Sequence, residues 1–576
     1  MRVSLKSFFK INFSALIVLI LLMLSANASA QSDTIETNVP HLKDVFSDDF
    51  YIGCLLSYAH VGFPTDPYVP GQSNVVAANG GYLIKYHMNS MSPGNWMKPA
   101  YIVDITASAN AYSSASNQQE RDSIDIHPVI TFNGNIIAQL NWAKRQGFTF
   151  RGHTLVWHSQ TPGTAFFRSG YTAGGVRLTK EKMTQRMENF IKEVIRILHE
   201  TWPGLLSAMD VVNEAIDDNS GNVRTTNNEW YTTFGDSTYI MKAFEFTRNY
   251  CNQYGETQMK LYYNDYNTHS SRKADGIVRL LTPIYQAGLL DGIGMQEHDD
   301  LYYPTATDWI ASYNKFYPIC DEMAVTELDV TTGSANPSAS VLQLQANQYG
   351  QLFKCFVERS FFSGRGKIIS VSKDGLNDQW TFKTNQASSL WNTLNKCKPA
   401  FFDVVDVGNY FNGLDSLYAY CDTLTEINYT PQSWSQLQAY LTAAVTVTNT
   451  NYTVNLSAAD ALEEAYTNLQ DGIEGLQLIT SVNDLADVPV SFTLEQNYPN
   501  PFNPETKINY SLAESGYISL KVYSLLGEEI AVLFEGYKQA GFYESIFNAA
   551  SLPSGIYMYR LEAGSFTQTN KMILMK

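Results

Sequence analysis

Two glutamates carry the chemistry that this chain could perform. Glu214 lies in Met209-Asp-Val-Val-Asn-Glu-Ala215, and Glu327 lies in Val325-Thr-Glu-Leu-Asp-Val330; each closes a short apolar run. Such runs read as strands of a parallel sheet, and in a closed barrel all strand ends open on one face. Two carboxyls meeting there suit glycoside hydrolysis. One protonates the leaving oxygen while the other attacks the anomeric carbon, and a retaining enzyme holds them about 5–5.5 Å apart. The charge on Glu327 would keep the proton on Glu214, and its loss in a covalent intermediate would release that proton. A random glutamate pair is roughly nine times in ten a surface or salt-bridged pair, so the neighbours decide. Gln296 and His298 are two apart in one run, as are Glu327 and Asp329 in the next, so each pair shares a sheet face. Asp329 can then fix the tautomer of His298, and His298 can aim and hold Glu327. The plainer reading of His298 is a satisfied core histidine.

Positioning these groups requires the whole stretch from about residue 40 to 408. Eight apolar runs alternate there with helical periodicity: Tyr51 to Leu56, His87 to Ser90, Thr149 to Trp157, Ala208 to Asn213, Lys260 to Asn264, Gly292 to His298, Met323 to Asp329 and Ile368 to Ser372. That count over roughly 250 residues or more predicts an α/β fold, a (β/α)8 TIM barrel. Further on, apolar stripes at helical spacing predict a small three-helix bundle over 411–478, with helices from Leu414 to Ile427, behind Thr430-Pro431, and behind Ser457. Residues 479–490 read as a linker, and alternation such as Ile518, Leu520 and Val522 predicts a C-terminal β-sandwich over 491–576.

Composition narrows the partners. With 44% hydrophobic and 16% charged residues the chain is neither disordered nor a membrane bundle, and a net charge of -17 would repel nucleic acid and anionic lipid. Basic Arg2, Lys6 and Lys10, an apolar run from Phe13 to Leu24 and small residues at 28–30 predict a cleaved signal peptide over 1–30. The run is shorter than the ~20 residues that span a bilayer, so no membrane span is expected in the mature protein. Six widely spaced cysteines give neither a metal motif nor a disulfide framework.

The segments Gly152-His-Thr-Leu-Val-Trp-His-Ser-Gln160, Asp210-Val-Val-Asn-Glu-Ala215, Leu261-Tyr-Tyr-Asn-Asp-Tyr-Asn267, Gly292-Ile-Gly-Met-Gln-Glu-His298 and Thr326-Glu-Leu-Asp329 resemble, in this order, family 10 glycoside hydrolases. The resemblance implies a catalytic barrel over 31–410 acting as a retaining endo-β-1,4-xylanase, with Glu214 as acid/base and Glu327 as nucleophile. It implies that Asn213 binds the sugar 2-hydroxyl, that Asn95, Lys98, His153, Trp157 and Gln296 line the glycone side, and that Tyr266 stacks on the leaving sugar. Without that context Trp157 and Tyr266 would read as core aromatics. Three positions depart from the family pattern: Gly94 stands where a sugar-binding glutamate is usual, Met209 replaces a tryptophan, and Ser372 replaces the first of two roofing tryptophans, the second being kept as Trp380. A Ser- and Asn-rich insertion, Ala107 to Ser123, is expected in a loop on the active face, and weaker glycone binding or an unusual side-chain preference is expected from these changes.

Tyr429-Thr-Pro-Gln-Ser-Trp434 and Ala465-Tyr-Thr-Asn-Leu-Gln-Asp-Gly-Ile473 resemble a FIVAR module, which implies a spacer. Leu494-Glu-Gln-Asn-Tyr-Pro-Asn-Pro-Phe-Asn-Pro504, Val522-Tyr-Ser-Leu-Leu-Gly527 and Leu552-Pro-Ser-Gly-Ile-Tyr557 resemble the C-terminal sorting domain of type IX secretion. That implies engagement of the type IX machinery through 491–576 and release outside, or attachment to the outer surface of, a Gram-negative bacterium. The expected partners are xylan and xylo-oligosaccharides, the expected state a monomer, and no metal or cofactor is expected, since neither carboxylate needs a cation for this chemistry. Two other readings compete: a non-catalytic xylan-binding or adhesion protein, and a barrel hydrolase of another β-glycan. A binding protein needs no matched acid and nucleophile, so retention of both glutamates favours the enzyme.

Overall fold

The structure is a computed structural model that describes residues 35–56, 76–361, 364–479 and 489–576. The expected signal peptide and residues 480–488 of the expected linker lie outside the described residues.

Strands β1 (Tyr51–Leu56), β2 (Ser90–Pro93), β3 (Thr149–Trp157), β4 (Leu206–Asn213), β5 (Lys260–Asp265), β6 (Gly292–Met295), β8 (Glu322–Thr331) and β9 (Lys367–Asp374) pair in parallel. The ladder runs β6-β5-β4-β3-β2-β1-β9-β8, and a β6–β8 pairing closes it into an eight-stranded barrel. A short β7 (His298–Asp300) extends it by pairing with β8, placing His298 opposite Asp329. Helices between the strands bury one apolar stripe each. The helix Lys180–Thr201, for example, starts at the Thr179 cap and buries Met183, Met187, Phe190, Ile191, Val194, Ile195 and Leu198, a stripe of 3.6-residue period.

Three expected elements differ. The run His87 to Ser90 is not a strand: His87 ends the helix Val76–His87, and β2 begins only at Ser90. The run Gly292 to His298 is broken between β6 and β7, because Glu297 takes a left-handed φ of 57° that no ladder accommodates. The insertion Ala107 to Ser123 is not a loop; it builds the helices Ile105–Ser114 and Gln118–Ile126, capped by Asp104 and Asn117 side chains. Buried Asp125 ties the second to the Gly170 amide at 2.7 Å.

The chain divides into two compact units, one holding residues up to Ser416 with Ala444–Tyr466, the other Leu417–Ala443 with Thr467–Lys576. The expected helix Leu414 to Ile427 is instead the end of Pro399–Cys421, which begins at a proline that suits a first turn. Helices Pro431–Asn449 and Ala458–Glu474 follow. Within the first unit Asn347 Nδ2 donates to the Val454 carbonyl at 2.7 Å, and Lys354 donates to the Thr448 carbonyl. Within the second, two antiparallel sheets form: β10 (Thr493–Leu494), β11 (Glu505–Leu512) and β14 (Gly541–Asn548) in one, β12 (Gly516–Ser524), β13 (Glu529–Lys538), β15 (Gly555–Ala563) and β16 (Phe566–Leu574) in the other. Ile508, Tyr510, Leu520, Val522, Phe547, Tyr559 and Leu561 from both sheets share one core. All six cysteines are free, five of them buried. Among the described residues no helix is long and apolar enough to cross a membrane.

Candidate active site

The C-terminal ends of the barrel strands surround a cleft of about 560 Å³ lined by Glu214, Glu327, Gln296, His298, Trp157, Tyr266, Asn95 and Lys98, with Gly94 beside them. Glu214 follows the last residue of β4, as its motif predicts, whereas Glu327 is the sixth of the ten residues of β8, and both line the cleft. Glu214 accepts from Trp157 Nε1 at 2.9 Å, Gln296 Nε2 at 3.0 Å and Asn213 Nδ2 at 3.3 Å. Burial first, and then the charge on Glu327, push its carboxyl above the usual range; the bonds from Gln296 and Trp157 pull the other way.

Glu327 has the opposite balance. Burial alone would raise its carboxyl, but the contact with His298, whose Nε2 is 3.5 Å away, and the charges of His153, His298 and Arg151 hold it well below the usual range. His298 Nδ1 is 2.9 Å from Asp329 Oδ2. Burial works against its charge, yet Asp329 and Glu327 together raise it well above an ordinary histidine, so the chain Asp329–His298–Glu327 is charge-oriented. Gln296 and His298 thus both face the cleft, although the break at Glu297 rather than a continuous strand puts them there.

Asn264, in a quoted motif but without an expected role, joins the two glutamates. Its Nδ2 donates to Glu327 Oε1 at 3.0 Å and to Asn213 Oδ1 at 3.1 Å, while Thr326 Oγ1 donates to its own Oδ1 at 2.7 Å. The space it needs exists because residue 294 is glycine: a Cβ there would stand 2.4 Å from Asn264 Oδ1. Gln160 likewise had no expected role; it accepts from Lys98 Nζ at 2.7 Å and donates to Asn95 Oδ1 at 3.2 Å, and Lys98 stands 4.6 Å over the Trp157 ring. Tyr266 accepts from Arg224 at 3.1 Å, with Lys273 Nζ 3.4 Å over its ring. Asp374 adds a third carboxyl to the cleft, which burial and the charge of Asp329 push up to about 6.

Some expected residues lie elsewhere. His153 is 2% exposed and does not line the cleft; its Nδ1 is 2.8 Å from Asp210 Oδ2, which also pairs with buried Arg151. Trp380 does not line it either. Phe382 and Lys383 do instead, and the Phe382 ring packs edge-on to His298 with centroids 4.6 Å apart. Ser372 is buried in the barrel wall, where its Oγ is 2.4 Å from the place a Cβ on Gly53 would take, and Met209 is wholly buried. No residue of the insertion Ala107 to Ser123 lines the cleft.

A closed parallel barrel whose rim holds two oppositely polarised glutamates defines a glycoside hydrolase of the two-carboxylate type. The family profile "Glycosyl hydrolase family 10" matches residues 42–407, and the chain belongs to that family. A second profile, "Secretion system C-terminal sorting domain", matches 496–575. Endo-1,4-beta-xylanase Y of Acetivibrio thermocellus is 32% identical over 394 residues, 66% of this chain and 33% of that protein. A putative endo-1,4-beta-xylanase of Caldicellulosiruptor saccharolyticus is 33% identical, over 49% of this chain and 91% of that one. The chain spans about a third of the length of xylanase Y and of the bifunctional endo-1,4-beta-xylanase XylA of Ruminococcus flavefaciens. Among solved structures, the xylanase 10B CBM22-1 and GH10 modules of Clostridium thermocellum complexed with xylohexaose align with TM-score 0.55 at 29% identity, covering 66% of this chain and 69% of that one. An intracellular xylanase of Thermoanaerobacterium saccharolyticum in complex with xylotriose aligns with TM-score 0.53 at 26% identity, over 64% of this chain and all of that one.

Proposed function

We propose that the chain is a secreted retaining endo-β-1,4-xylanase that cleaves internal bonds of xylan, with Glu214 as acid/base and Glu327 as nucleophile. The observation that carries the reading is the opposite push on the two carboxyls: Glu214 raised by burial and the Glu327 charge, Glu327 lowered through His298 and Arg151. In the first step the Glu327 carboxylate bonds to the anomeric carbon, the glycosidic bond breaks, and Glu214 gives its proton to the leaving oxygen. The ester on Glu327 carries no charge, so the push on Glu214 falls and it can take a proton from the water that releases the sugar. Asn213 is the donor to the 2-hydroxyl, because both Asn264 and Gln296 occupy its Oδ1 and leave its Nδ2 at the edge of Glu214. Asn95, Lys98, Trp157 and Gln296 take the glycone, and Tyr266 the leaving side. His153 acts from behind, through Asp210, and the roof formed by Phe382 and Lys383 takes the place expected of Trp380.

Xylan as substrate is supported by relatives whose names and complexes are those of xylanases and xylo-oligosaccharides. The sorting profile supports export across the outer membrane of a Gram-negative cell by type IX secretion through 491–576. The helices Pro431–Asn449 and Ala458–Glu474 are read as a FIVAR-like spacer.

Reducing-sugar release from xylan tests the assignment in Glu214→Gln and Glu327→Gln. Each isosteric change is expected to lower kcat by about three to five orders of magnitude with the fold intact. Unchanged release in either variant would refute that residue's role, and no release by the wild type would leave a carbohydrate-binding barrel.

A further inference from the structure

Behind His298 lies a second polar cluster that the proposed reaction does not use. Gln296 and His298 face the cleft, while Glu297 is absent from its lining and Asp299 opens instead on a neighbouring hollow of about 410 Å³. His269, just beyond β5, meets them there. Its Nδ1 is 3.8 Å from Glu297 Oε2 and 3.9 Å from Asp299 Oδ1. The three residues are 8%, 1% and 3% exposed. Even so, His269 Nδ1, Glu297 Oε2 and both Asp299 carboxylate oxygens make no hydrogen bond. The other Glu297 oxygen is already engaged by Thr268 Oγ1 at 3.0 Å, and the Tyr303 ring packs edge-on to the imidazole at 4.6 Å between centroids, which fixes both groups in place.

Buried carboxylate oxygens without a donor are costly, and here three of them converge with an unpartnered imidazole nitrogen. One ligand atom from each of His269, Glu297 and Asp299 lies within 4.8 Å of the others, and the hollow, with Asp218 and Asp300 on its wall, opens onto His269 and Asp299. We propose that these three side chains bind one divalent transition-metal cation of the Zn2+ or Mn2+ class. Imidazole beside two carboxylates suits such ions better than Ca2+ or Mg2+, which take all-oxygen shells. Two ligands on a tetrahedral Zn2+ stand about 3.4 Å apart, so His269 must draw in by about 0.5 Å toward each carboxylate, and the widest pair, within 4.8 Å, by at most about 1.4 Å. Solvent in the hollow completes the shell. The cation takes no part in bond cleavage; it pins the turn between β6 and β7 and thereby His298, the residue between two of its ligands. No metal is expected from the sequence, and the proposed scaffold cation departs from that expectation.

Metal content measured on the purified full chain tests this. After equilibration with Zn2+ or Mn2+ and desalting, one equivalent per chain is expected, with a melting temperature that chelator lowers and the ion restores. His269→Gln and Asp299→Asn are each expected to cut occupancy at least tenfold. If Asp299→Asn does not fold, His269→Gln decides, since its amide keeps the polarity and removes the imidazole ligand. No uptake by the wild type would overturn the proposal. So would uptake of Ca2+ alone, or full occupancy in the variants. The readout is independent of sugar release, so an inactive protein that binds the ion would contradict the substrate reading and leave this one standing.

Discussion

The barrel and the C-terminal sandwich fill their interiors in opposite ways. Below its rim the barrel buries Arg151, His153, Asp210, Asp265, Lys273, Glu327, Asp329 and Asp374, each more than nine-tenths hidden. The sandwich core is apolar, and its buried polar residues are the neutral Asn497, Thr506 and Ser511. Its ion pairs lie at the surface or half-buried, as between exposed Lys507 and Glu544. Buried charge that could be replaced by well-packed apolar side chains at little cost or with gain is retained where it sets the protonation of other groups. Reactivity is therefore confined to the barrel, and whatever the tail does, it does with its surface.

Three substitutions sharpen this contrast, and the largest effect is expected at Asp210. Asp210→Asn leaves Arg151 buried without its carboxylate and should cost the barrel about 3–5 kcal/mol in urea unfolding; a loss below about 1 kcal/mol would mean that the pair is dispensable. Next comes Leu520→Ala in β12, fully buried in the sandwich. It should destabilise the tail by about 2–5 kcal/mol, seen as faster proteolysis there, with sugar release by the barrel unchanged. A matching loss of hydrolysis would break the separation. The smallest is Gln296→Ala. Its hydrogen bond to Glu214 favours the ionised carboxylate, so removing it raises the Glu214 pKa further. Because the acid must be protonated to act, the alkaline limb of the kcat/KM profile should move to higher pH, and a shift to lower pH would contradict the assignment.

Much of the barrel was legible because its strands obey local rules. Thr149 to Trp157 is the strand β3 as read, and Glu214 directly follows its strand as its motif requires, while Glu327 lies inside β8, which runs on to Thr331. What escaped depends on three-dimensional context. The break at Glu297 comes from a left-handed residue that apolar patterning does not mark, and the cluster with His269 exists only because of that break. Phe382 and Lys383 reach the cleft from irregular chain after β9, where no period fixes direction. Asn264 could have been found: it is a polar residue near the end of β5, in a motif already singled out, and an amide there has few partners except the glutamates. Pro399 was an available helix-start signal that the apolar stripe further on obscured.

The central claim is that the two glutamates share one covalent cycle with divided roles. Glu214→Ala, given an activated aryl β-xylobioside whose leaving group needs no proton, should still form the ester but lack the base that hydrolyses it. Mass spectrometry of acid-quenched, digested protein should then find the peptide containing Glu327 heavier by one xylobiosyl group. An adduct on another residue, or aglycone release at turnover rates with no adduct at all, would contradict the account.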